Sequence, residues 1–159
     1  LNTVLSVANE SFSSFITGQC TEAVILGALC ILGMLIFGFP YATSVGIFIG
    51  VTSLIPILGA YLGAAVGVLL IFQVDPTQAL LFIVFIIVLQ QLEGNLIYPR
   101  VMGTSIGLPG IWVFASVMIG GGVGGIVGML FGVPVAATAY KLLRMATNER
   151  LQTHVTRVR

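Results

Sequence analysis

The chain has 159 residues, of which 58% are hydrophobic and 7% charged, with a net charge of +1. A soluble domain carries about 25% charged residues, because Lys, Arg, Asp and Glu normally cover its surface. This composition excludes a soluble enzyme, a nucleic-acid binder and a disordered chain, and points to an all-α, polytopic membrane protein.

Residues 23–74, 76–92 and 101–140 carry no formal charge, and a bilayer-spanning helix needs about 20 apolar residues. The chain opens on Leu1, and residues 1–19 are too polar for a signal-peptide core. It reads as a piece of a longer protein. In 1–19, Leu1, Val4, Leu5, Ala8, Phe12, Phe15 and Ile16 recur at helical spacing, which predicts an amphipathic, interfacial helix. Residues 20–146 form the expected transmembrane domain. Cys20 and Cys30 match no metal motif and read as small buried residues. No metal or cofactor is expected.

The first span is predicted at 23–39, ended by Pro40. Apolar stretches at 41–55 and 57–73 meet at Pro56 and Gly59. The first of these is about 22 Å long as a helix, short for a bilayer core near 30 Å. The segment 41–73 is therefore a hairpin, either re-entrant or fully spanning. Broken backbone at membrane depth needs protein or a watery cavity around it. Asp75 before Pro76 reads as a helix start. A clean helix follows at 77–97, then a polar stretch at 98–110. A second hairpin is predicted at 111–146, with its tip at Pro134. Residues 147–159 form a basic tail.

Lys141, Arg144, Arg150, Arg157 and Arg159 gather at the C-terminal end, which the positive-inside rule places in the cytoplasm. Tracing back through hairpins that return to their own side puts Arg100 on the same face. The two hairpins then enter from opposite leaflets, with broken tips near the midplane, as in secondary transporters. The alternative is a bundle of Pro-interrupted helices.

Gly59, Gly63 and Gly67 repeat every four residues, as do Gly120, Gly124, Gly128 and Gly132. Each glycine weakens a helix by about 1 kcal/mol relative to Ala, and close approach of another helix is the usual compensation. Gly63, Gly67, Gly120, Gly124 and Gly128 are therefore expected at helix contacts. Glu93 lies near the end of an apolar helix, with Gln90 on the same face and Asn95 close by. An intramembrane carboxylate is costly unless paired, hydrated or protonated, so Glu93 is a candidate proton or ion site. The alternative is a structural lock to Arg100 or to backbone. No catalytic constellation appears, and the only histidine, His154, lies in the tail.

Three motifs together resemble the autoinducer-2 exporter family of bacterial membrane proteins. Pro56-Ile57-Leu58-Gly59 followed by Gly63 is similar to its P-x-x-G-x-x-x-G segment. Gln90-x-x-Glu93 with Pro99, Gly103 and Pro109 resembles the next signature, and the glycine run 120–132 ending at Pro134 resembles the last. Gly67-Val68 departs from the Pro-Ala of many relatives. The resemblance covers the family's C-terminal half. It implies an oligomeric, multi-pass transporter of the bacterial inner membrane that exports autoinducer-2 or exchanges sodium for protons. The expected partners are membrane lipid, a small polar solute or cation, and further copies of the chain, with no nucleic acid. Glu93, Gln90, Asn95, Pro56, Gly59, Gly132 and Pro134 are the candidate solute or ion contacts. A non-transporting membrane scaffold is the remaining alternative.

Overall fold

The computed structural model describes residues 2–101 and 110–157. Gly103 and Pro109 of the second signature lie outside the described residues. All described regular structure is helical: α1 (Asn2–Ile36), α2 (Ala42–Thr52), α3 (Leu58–Phe72), α4 (Pro76–Leu92), a π-helical turn (Glu93–Ile97), α5 (Tyr98–Val101) and α6 (Gly110–Arg157). The chain divides into two compact units, one of Ile16–Thr104 and one of Leu1–Phe15 with Ser105–Arg159.

α1 joins the expected surface helix and the first span into one uninterrupted helix, of which the part from Ile16 on belongs to the first unit. It stops at Ile36, before Pro40. Gly38 takes φ 71°, while Gly38 N–H donates to Leu35 O (3.2 Å) and Phe39 N–H to Met34 O (2.9 Å). This is the double closure of a glycine-terminated helix, so Gly38 ends the span and Pro40 only follows it. The side chains of Leu26, Cys30 and Met34 then face Val45, Ile49, Phe82 and Ile86 in a buried core. Cys30 is buried as expected, but Cys20 is exposed.

α2 and α3 form a hairpin whose arms are about 16 and 22 Å long at helical rise. Both are shorter than a bilayer core of about 30 Å. Their seam is built from glycine. A Cβ on Gly59 would run into the Thr52 carbonyl, and one on Gly63 would sit 2.9 Å from Ile49 Cα. Gly67 faces Val45 and the Phe82 ring in the same way. α1 meets α2 through a second glycine seam, where a Cβ on Gly27 would lie 3.2 Å from Gly46 O. α4 begins where Asp75 accepts from the Thr77 (2.8 Å) and Gln78 (3.4 Å) amides, with Pro76 in its first turn. This is the side-chain cap of a helix N-terminus.

The second unit is a helical hairpin with the first turns of α1 packed on it. Val7, Ser11 and Phe15 are buried there, and Phe12 stacks 6.0 Å from Phe131. The buried stripe thus differs from the one read from sequence: Val4, Leu5 and Ile16 are exposed. In a chain embedded in lipid, apolar residues need not mark the packed face. Lys141 pairs with Glu10 at 3.3 Å.

Val4–Ile36, Pro76–Val101 and Ile111–Met145 are each long and apolar enough to cross a membrane. The last is not one straight rod. Gly124 (φ −129°, ψ 16°) and Gly125 (φ 58°, ψ −141°) break α6 into arms at 110–123 and 126–157. The expected tip at Pro134 is therefore corrected to Gly124–Gly125. Pro134 is buried inside the second arm, since a helix already turned by two glycines has no need of a proline corner. Gly124 is likewise not a packing glycine: a Cβ there would meet nothing within 4 Å. Gly120, Gly128 and Gly132 are where the arms touch, with Gly128 against the Gly120 carbonyl and Gly132 against that of Ser116.

Gly128→Ala should destabilise this hairpin by about 1–3 kcal/mol through backbone overlap. Gly122→Ala, where a Cβ meets nothing, should be neutral or stabilising by up to about 1 kcal/mol. Thermal unfolding of the two variants in detergent checks both; equal midpoints would refute the seam.

Candidate functional site

The candidate site lies at one end of the Ile16–Thr104 unit. A sidedness in this unit follows from its chain reversals: the turns at 37–41 and 73–75 form one end, and the α2–α3 tip with the end of α4 forms the other. At the latter end a cavity of about 250 Å³ is lined by Gln19 and Glu22 of α1, Ser53, Pro56 and Ile57 of the tip, Tyr61 of α3, Gln90 and Gln91 of α4, Glu93 of the π turn and Tyr98 of α5. A larger groove between α1 and α2, about 450 Å³, is lined by Val24, Ala28, Ile47 and Val51 and offers little to a polar molecule.

Glu22 is only 4% exposed. A buried carboxylate requires hydrogen bonds or a counter-charge. Gln19, one helical turn earlier, supplies one: its Nε2 donates to Glu22 Oε2 (2.9 Å) and also to the Ser53 carbonyl (2.8 Å). Ser53 ends α2, where its Oγ donates to the Gly50 carbonyl (2.8 Å). The amide of Gln19 thus ties α1 to the hairpin tip. Gln19 Oε1 and Gln90 Nε2 are buried without a partner among the described residues.

The tip itself is strained. Ile57 holds φ 68°, ψ −56°, and Leu58 N–H donates back to Pro56 O at 2.7 Å. That is a tight three-residue turn, in a region of backbone space that a β-branched residue adopts only under constraint. The strain sits directly on the cavity wall. On the opposite wall the helix widens into the π turn at Glu93–Ile97, just ahead of Pro99. Such turns occur inside α-helices and often mark functional positions.

The structure therefore brings Glu93, Gln90 and Pro56 together. Gly59 lies in sequence between the lining residues Ile57 and Ala60 but is not itself part of the lining. Asn95 is exposed and turned away, its Nδ2 donating to Gln91 O (2.9 Å) and Oε1 (3.1 Å). Gly132 and Pro134 belong to the other compact unit. The alternative of a Glu93–Arg100 lock has no support among the described residues: Arg100 Nη1 donates to the Leu96 carbonyl at 3.2 Å. Gln19, Glu22, Ser53 and Tyr98 also line this candidate site, and the sequence reading does not single them out. For Glu22 a signal exists, because of the two carboxylates on α1 it is the one that borders the apolar half, three residues after a glutamine. At the start of a charge-free run, however, it reads equally well as a membrane-border residue.

The family described as AI-2E family transporter matches residues 1–148. The chain belongs to that family. It is 32% identical over 151 residues to "Putative transport protein YueF" of Bacillus subtilis (strain 168), covering 91% of this chain and 41% of YueF. It is 31% identical over 129 residues to "Putative transport protein YrrI" of the same organism, covering 81% and 36% of the two chains. It is also 30% identical over 130 residues to "Putative permease PerM" of Escherichia coli (strain K12), covering 80% and 37%. The chain thus spans well under half the length of these curated relatives. No solved structure matches it. The family is one of transporters and permeases, and this member of it is a multi-pass membrane protein.

Gln19→Leu should remove both tethering hydrogen bonds and leave Glu22 without its donor. The expected loss is about 1–3 kcal/mol, read as a lower thermal midpoint in detergent. An unchanged midpoint would show that the amide holds nothing.

Proposed function

We propose that this chain is the C-terminal part of a secondary transporter that exports a small polar solute across the bacterial inner membrane, with its C-terminal tail in the cytoplasm and several copies assembled together. The observation that carries the reading is the polar cavity at the strained hairpin tip. Two carboxylates stand there, with two amide atoms that have no partner among the described residues, in an otherwise apolar helical unit. Intramembrane polar groups are expensive and, where they occur, mark solute or ion pathways. A hairpin with arms shorter than the bilayer core, broken at a cavity, supports a re-entrant element that lines the path. Autoinducer-2 is the solute that the family resemblance implies, and the flux assay tests it alongside other small polar solutes.

The two acids also favour a second reading, sodium/proton antiport, in which Glu93 and Glu22 alternate between protonated and ion-bound forms. A non-transporting scaffold has no use for such a cavity.

Reconstituted full-length protein separates these readings. Under the first, proteoliposomes export the solute, and Glu22→Gln and Glu93→Gln each reduce its flux by about tenfold or more, the loss of one charge-assisted hydrogen bond. Loss of pH-dependent sodium flux with solute export intact would favour antiport. Absence of any flux in the wild type would leave the scaffold.

A further inference from the structure

The polar lining of the cavity is lopsided. Glu22 and Glu93 both line it, and no Lys, Arg or His is among the described residues that do. Gln19, 4% exposed, directs its amide hydrogens to Glu22 Oε2 and the Ser53 carbonyl. Both partners are acceptors, which fixes the orientation of the amide. Its Oε1 is therefore an acceptor, buried at the cavity and lacking a donor among the described residues. A buried acceptor left unmade is a costly state, and a bound solute can supply the donor it lacks.

We infer that the cavity binds a small organic ammonium ion, with the ammonium group between Glu22, Glu93 and Gln19 Oε1. This rests on reading the cavity as the transporter's solute site, and it narrows the solute class. An ammonium head has three N–H donors, no acceptor and one positive charge. Three acceptor groups and an excess of negative charge are its complement, and in a low-dielectric setting that excess otherwise goes unanswered. Gln90 Nε2, buried without an acceptor among the described residues, suits a hydroxyl oxygen on the same molecule. A cavity of about 250 Å³ has room for a compact amino alcohol. An anionic solute would meet two like charges, and a neutral polyol would leave the negative charge unbalanced.

Calorimetric titration of the full-length protein in detergent with ethanolamine, ethylene glycol, glycolate and sodium chloride tests this, with potassium chloride holding ionic strength constant. Ethanolamine is expected to bind, and the other three are not expected to match it. Glu22→Gln and Glu93→Gln should each weaken ethanolamine by about ten- to a hundredfold. Preference for ethylene glycol or glycolate, equal competition by sodium, or unchanged ethanolamine affinity in both variants would overturn the inference. The wild-type series decides the question even where one variant fails to fold. If solute flux depends on the two acids while ethanolamine does not bind, the ammonium inference falls and the transporter reading stands. If ethanolamine binds but no solute is moved, the transporter reading falls and the ammonium site stands.

Discussion

A carboxylate inside an apolar helix must be answered by a donor, a cation or water, and the first answer to Glu22 comes from Gln19. The same amide also holds the Ser53 carbonyl, so satisfying the acid and docking the hairpin tip are one interaction. It is the bond that ties the end of α2 to α1 at that end of the unit. The tip can turn as sharply as it does at Ile57 because Ser53, just before the turn, is held on α1. Its strained backbone in turn keeps Pro56 and Tyr61 on the cavity wall.

Below the tip, packing relies on backbone more than on side chains. Gly27 meets Gly46 and Gly50, and Gly59 and Gly63 meet Thr52 and Ile49. In lipid, apolar side chains gain little by leaving their surroundings, so close backbone contact carries the association. Large apolar residues such as Val24, Ile36, Leu69 and Leu80 accordingly point outward. The glycine seams set the depth at which α2 and α3 sit beside α1, and hence the level of Glu22 relative to the turn.

Much of this frame is legible in the sequence. Charge-free runs, the Pro56 break and the start at Asp75-Pro76 are local signals with local causes, and the helices begin or bend close to them. The Gln90–Glu93 pair is legible for the same reason: a helical spacing of three puts both on one face. Three features are not. The stop at Gly38 is masked by the more conspicuous Pro40, although a glycine at positive φ closes a helix more directly than a later proline does. Sequence favours Pro134 as the corner of the second hairpin because proline is the stronger breaker in general, whereas Gly124 and Gly125 supply backbone angles that a proline cannot. Glu22 escapes notice because its meaning depends on Ser53, which is distant in sequence, and no spacing rule links an acid on one helix to a carbonyl at the end of another.

The π turn has a further consequence. It fits one surplus residue into a single coil of the helix between Glu93 and Ile97. Rewinding the turn to regular α-helix at constant length would leave Glu93 where it is but re-phase all that follows by about 100°. Tyr98 would swing off the wall it shares with the acid. A widened coil of this kind can in principle migrate along a helix without breaking it, so the link between these two side chains is itself a degree of freedom: a rotary joint embedded in an otherwise stiff rod.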